Sequence, residues 1–110
     1  MVSKRPSIYI YANKADRDIL GEICAGIEEE GIFFEIKEQE QHSLALLAYQ
    51  AAADSMLGSG IGITKQEVAF QLKGLNEGAY IVYHNNPEKT QSRYLGMNAA
   101  RAVKKQPFKE

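Results

Sequence analysis

The sequence has a single cysteine, Cys24, only two histidines, and almost no net charge across its 110 residues. One thiol excludes an internal disulfide framework and suits a reducing compartment. Thirteen basic against fourteen acidic side chains leave a net charge of −1, which supplies no global drive toward nucleic acid or an anionic membrane. No apolar run approaches the ~20 residues that a membrane-crossing helix needs. Met1-Val2-Ser3-Lys4-Arg5-Pro6 leads into a strand-like segment and not into the core of a signal peptide. Internal repeats, low-complexity tracts and linkers are also missing. What remains is 45% hydrophobic and 25% charged, the balance of a globular chain. The expectation is one cytoplasmic domain over 1–110, with neither a nucleic-acid nor a membrane partner.

The charge is small in total but unevenly placed. Residues 1–50 carry 5 basic and 9 acidic groups, whereas residues 86–110 carry 6 basic and 2 acidic ones. One end can complement the other, or each can be offered to a partner.

The β-branched and aromatic run over 7–12 predicts a strand. Asp16 then caps a helix that runs to about Glu30 and stops at Gly31, with Ile19, Leu20, Ile23, Cys24 and Ile27 on its apolar stripe. A second strand is expected over 32–36. Ser43 caps an alanine-rich helix over 44–55, whose small side chains permit close packing on a sheet. The third strand covers 60–64. Over 67–73 the larger apolar residues fall at every second position, and a further strand covers 80–84. The connections on either side of 67–73 are too short for a parallel crossover, so that strand is antiparallel to its neighbours. Pro87 opens a final helix from Glu88 to about Lys105. The order β-α-β-α-β-β-β-α predicts a three-layer α/β/α fold on a five-stranded mixed sheet.

Little in this chain suggests catalysis. Gly58-Ser59-Gly60-Ile61-Gly62 follows a helix and enters a strand, the reverse of a phosphate-binding loop, and no Gly-Lys-Ser/Thr follows it. The glycines read better as a close approach to a neighbouring helix. Cys24 reads as a small core residue. Cys24, His42 and His84 show no metal-ligand spacing. His84 stands at a strand end, where sites in α/β proteins often form.

Glu28-Glu29-Glu30 breaks a local rule, because three carboxylates at a helix C-terminus oppose the helix dipole. At 100° per residue, Glu22 and Glu29 share a flank, with Ala25 and Gly26 between them as a shallow notch where another backbone can come close. A solvated acidic helix end is the plain alternative. On the last helix, Tyr94, Asn98, Arg101 and Lys105 recur along one flank, which suits either a protein interface rim or an ordinary outer face.

Two segments carry a family resemblance. Gly26-Ile27-Glu28-Glu29-Glu30-Gly31-Ile32 with Phe34 resembles the GIEEEGIPF signature of the small subunit of diol and glycerol dehydratase reactivating factors. Gly96-Met97-Asn98-Ala99-Ala100-Arg101-Ala102-Val103-Lys104 with Pro107-Phe108-Lys109 is similar to that family's GxNAARxVKxxPFR ending. Gly60-Ile61-Gly62-Ile63 falls where the family has its VGIA strand. Phe33 departs from the family's proline, and the region 37–57 diverges.

The resemblance implies an α/β/α domain shared with the medium subunit of adenosylcobalamin-dependent dehydratases. It implies a non-catalytic partner of an Hsp70-like large subunit that binds and hydrolyses ATP. The pair would release damaged cobalamin from a diol or glycerol dehydratase, this chain exchanging with the dehydratase subunit whose fold it shares. By the same resemblance, the middle glutamate, Glu29, helps hold a divalent cation (Mg or Ca) at the contact with the large subunit, and the isolated chain carries no cofactor. The implied partner surface comprises Glu22, Gly26, Glu28, Glu29 and Glu30 with Tyr94, Asn98 and Arg101, and the dehydratase large subunit is a second partner. Association with a bacterial microcompartment is left open. Two other readings compete: a structural subunit of a dehydratase, and a small flavodoxin-like ligand-binding domain.

Overall fold

A computed structural model describes residues 5–110; Met1–Lys4, the lead-in to the first strand, lie outside the described residues. The elements are β1 (Ile8–Asn13), α1 (Arg17–Glu29), β2 (Phe34–Glu38), α2 (Leu44–Asp54), β3 (Ser59–Thr64), β4 (Glu67–Leu72), β5 (Val82–Asn85) and α3 (Lys89–Lys104). Their order in the sheet is β2-β1-β3-β4-β5. β1 pairs parallel with β2 and β3, and β4 is antiparallel to both of its neighbours. The expected order, the mixed sheet and the reversed fourth strand are all present.

Helix boundaries follow their local chemistry. The Asp16 carboxylate accepts from the N–H groups of Asp18 and Ile19, both at 3.0 Å, and the Ser43 hydroxyl accepts from Leu46 at 3.4 Å. At the end of α1, Gly31 takes a φ of +75°. Gly31 N–H donates to the Glu28 carbonyl and Ile32 N–H to that of Ile27, which is a Schellman closure. Ile32 is thereby drawn into the helix cap. That is why β2 begins at Phe34 and not at residue 32.

Sheet alternation sends Ile8, Ile10, Ile61, Ile63, Val68 and Phe70 to one face, against Ile23 and Ile27 of α1 and Leu95 and Ala99 of α3. Tyr9 and Tyr11 point to the other face, against Leu47 and Ala51 of α2. Helices therefore cover both faces of the sheet. A Cβ added at Gly60 would lie 2.1 Å from Ala52 N, and one at Gly62 would lie 2.6 Å from Ala48 N. The glycines let the alanine-rich helix sit directly on β3, the role expected of them. Cys24 is buried, and burial pushes its thiol up to about 11, so it is an inert core residue.

Candidate functional site

The two motifs that carry the resemblance meet each other in the fold. α1 and α3 lie side by side in the same direction: Glu22 and Glu29 pair with Arg93, and Glu30 pairs with Arg101 and Lys104. Glycines make the approach possible. A Cβ on Gly26 would sit 2.1 Å from the carbonyl oxygen of Arg93, and one on Gly96 would sit 2.0 Å from that of Ile23. The backbone that enters the Gly26 notch is thus that of the chain's own α3. Gly26 is buried there, so the notch is filled within the chain itself.

The acidic triplet is neutralised from across the helix pair. Arg93 reaches Glu22 through Nε at 3.2 Å and through Nη2 at 2.8 Å, and its Nη1 binds Glu29. The hydrogen bond that Arg93 donates to Glu22 leads the effects that raise the Arg93 pKa further. Glu30 is only 9% exposed; it accepts from Lys104 Nζ at 2.7 Å and Arg101 Nε at 3.1 Å. These bonds, that of Lys104 first, hold its carboxyl below the ordinary glutamate range. The uneven charge of the two chain ends is, in these contacts, spent internally.

Glu30 therefore contributes stability that is fully present above the ordinary glutamate pKa. It is lost as pH falls through the lowered folded-state value. Urea denaturation should find Glu30→Gln less stable by about 1–2 kcal/mol at neutral pH, with the gap closing in acid. A gap that stays constant into acid would assign the loss to packing instead of charge.

Asn98, placed on the implied partner rim, is 8% exposed and has an internal task. Its amide donates to the Lys109 carbonyl at 3.1 Å, and its carbonyl accepts from Lys109 N–H at 2.6 Å. Arg101 adds a bond to the Pro107 carbonyl at 3.2 Å. The tail is held across the sheet with Phe108 edge-on to Phe70, ring centroids 6.3 Å apart. Tyr94 is half-buried, with the Lys109 ammonium 5.8 Å from its ring centroid. Glu28 and Glu29 are the implied site residues that stand open to solvent.

Glu29 is 47% exposed and keeps one carboxylate at the surface beside Arg93. Among the described residues no group of three or more His, Cys, Asp or Glu is placed to hold a metal ion. A hard divalent cation takes six or more oxygen ligands. Glu29 fits such a cation as one ligand among several, the rest coming from elsewhere. Arg93 was missed in the sequence. Its signal was there in the spacing of Arg93, Arg101 and Lys104 on α3, set against Glu22, Glu29 and Glu30.

A three-layer α/β/α domain with two glycine-mated helices and a clamped C-terminal tail is the class of protein that these features define. The chain belongs to the dehydratase medium subunit family, whose model matches residues 5–109. The small subunit of propanediol dehydratase-reactivating factor from Citrobacter freundii is 36% identical over 106 residues, covering 96% of this chain and 91% of that one. The diol dehydratase-reactivating factor small subunit from Klebsiella michiganensis is 34% identical, over 81% and 72% of the two chains. A chain in the solved structure of a diol dehydratase-reactivating factor complexed with ADP and Mg2+ superposes with a TM-score of 0.90 at 30% identity, covering 97% of this chain and 100% of that one. A chain of a glycerol dehydratase reactivase superposes with a TM-score of 0.91 at 27% identity, over 96% and 98% of the two chains.

Proposed function

We propose that this chain is the small, non-catalytic subunit of a cytoplasmic dehydratase-reactivating factor. Its partner is an Hsp70-like large subunit that hydrolyses ATP. The pair would free damaged cobalamin from an adenosylcobalamin-dependent diol or glycerol dehydratase, this chain exchanging with the medium subunit of like fold. The observation that carries the reading is the near-complete cover of a reactivating-factor small subunit in sequence and of a reactivating-factor chain in fold. That match favours a reactivating factor over a structural dehydratase subunit. Exchange between like-folded subunits needs differential affinity, since a ligand shifts an equilibrium only through a difference in binding. The nucleotide state of the large subunit would supply it.

In this reading Glu29, with Glu28 beside it, faces the large subunit and gives one oxygen to an interface divalent cation, while Arg93 stays anchored on Glu22.

The test is reactivation of an inactivated dehydratase with ATP, Mg2+ and fresh adenosylcobalamin, with and without this chain. Activity should return only when the chain is present; full recovery with the large subunit alone would refute the subunit role. Glu29→Ala should leave the isolated fold within about 0.5 kcal/mol of the parent, because the pair it breaks is exposed. It should weaken cation-dependent assembly with the large subunit by about tenfold or more. Unchanged assembly in gel filtration, with unchanged metal content, would reduce Glu29 to a solvated helix end.

A further inference from the structure

The sheet has a second feature that the subunit role does not use. β1 lies between β2 and β3, and the connections that leave β1 and enter β3 run over opposite faces, through α1 and α2. The gap beyond the C-terminal ends of β1 and β3 is therefore a topological switch point, the place where open α/β sheets bind ligands. A crevice of about 500 Å³ opens there, lined by Asn13, Lys14, His42, Thr64, Lys65 and Asn85, with Gln66 and the carboxylate of Glu67 at its hairpin side. That volume lies within the range of small-molecule sites.

Two lysines distinguish this crevice from an ordinary loop cluster. Asn13 and Thr64 are register partners, so Lys14 and Lys65, the residues that follow the two strands, leave the sheet from neighbouring backbone positions. Both have left-handed backbones, with φ of 52° and 53°. Such a conformation is strained for a non-glycine residue. Lys65 is also the first residue of a two-residue hairpin between Thr64 and Glu67, where glycine or asparagine is the usual choice. Among the described residues neither ammonium forms an ion pair. The nearby carboxylates already have donors: Glu38 accepts from Lys14 N–H at 3.1 Å and Glu67 from the Tyr83 hydroxyl at 2.5 Å. Two lysines on strained backbone, neither of them ion-paired, outnumber the one carboxylate of the lining, that of Glu67, and break local rules with no local gain. Such breaches mark functional positions.

We infer that the β1/β3 crevice binds a phosphate-bearing small molecule, its phosphoryl group held between the Lys14 and Lys65 ammoniums. His42, Thr64 and Asn85 surround it with groups able to hydrogen-bond phosphoryl oxygens. The lining has no Phe, Tyr or Trp ring as a platform for a base, so charge is the main feature that the site offers. This inference is independent of the reactivating role, since it concerns the opposite end of α1 from Glu29.

The test is an amide NMR titration of the full chain with inorganic phosphate and with pyrophosphate, succinate serving as a control for charge alone. Both phosphates should give saturable shifts at Asn13, Lys14, Thr64 and Lys65, with succinate weaker. The Lys14→Asn/Lys65→Asn double variant keeps residues that tolerate the left-handed region. It should fold and bind phosphate about tenfold or more weakly. Linear, unsaturated shifts in the parent chain, equal response to succinate, or shifts unchanged in the double variant would each overturn the site.

Discussion

Gly26→Ala and Gly96→Ala should each lower the melting temperature by more than about 12 °C, or prevent folding. Each new methyl would meet a backbone carbonyl of the facing helix at 2.1 or 2.0 Å, and neither contact can be relieved by turning a side chain. Overpacking of this kind costs about 3 kcal/mol or more when the backbone must move, and each kcal/mol shifts the midpoint of a small domain by about 4 °C or more. The separation of α1 from α3 would also break the pairs of Glu22, Glu29 and Glu30. Gly21→Ala is the internal control: it lies in the same helix with nothing within 4 Å of the added atom. It should be stabilised by about 0.5–1 kcal/mol, through helix propensity. Thermal unfolding followed by circular dichroism separates the three variants. Midpoints for Gly26→Ala and Gly96→Ala within a few degrees of the parent would mean that the helices are not seated as described.

Asn98→Ala should release the C-terminal tail at a cost of about 2 kcal/mol, since it removes two hydrogen bonds held by one nearly buried side chain. With the clamp gone, Phe108 loses its hold against Phe70. Hydrogen exchange at the Lys109 amide should accelerate sharply, while amides in β1 and β3 slow or quicken only with global stability. Unchanged protection at Lys109 would show that the tail is held by Phe108 and Arg101 alone. The asparagine of the C-terminal signature is on this account a structural residue that fixes the tail.

Much of the architecture was legible because its causes are local. Asp16, Ser43 and Gly31 mark helix ends through hydrogen bonds within a few residues, and the alternation over 67–73 reports a strand covered on one face. Short connections decided that this strand is reversed. The boundary of β2 was misplaced by two residues, because the Schellman closure recruits Ile32 and the apolar run over 32–36 does not reveal that.

The sequence by itself determined the order of elements, the mixed sheet, the core glycines at 60 and 62, and two signature motifs with an acidic triplet in one of them. Only the tertiary structure decided that these motifs are the two halves of one helix contact. Glu22 and Arg93 are 71 residues apart, and no periodicity reports which cation meets which carboxylate across such a distance. The same holds for Lys14 and Lys65, whose adjacency exists because β3 joins the sheet beside β1. Caps and alternation act over one turn or one pleat and are written in neighbouring residues. Charge pairing and crevice formation depend on which surfaces the sheet brings together, and that is a property of the folded chain.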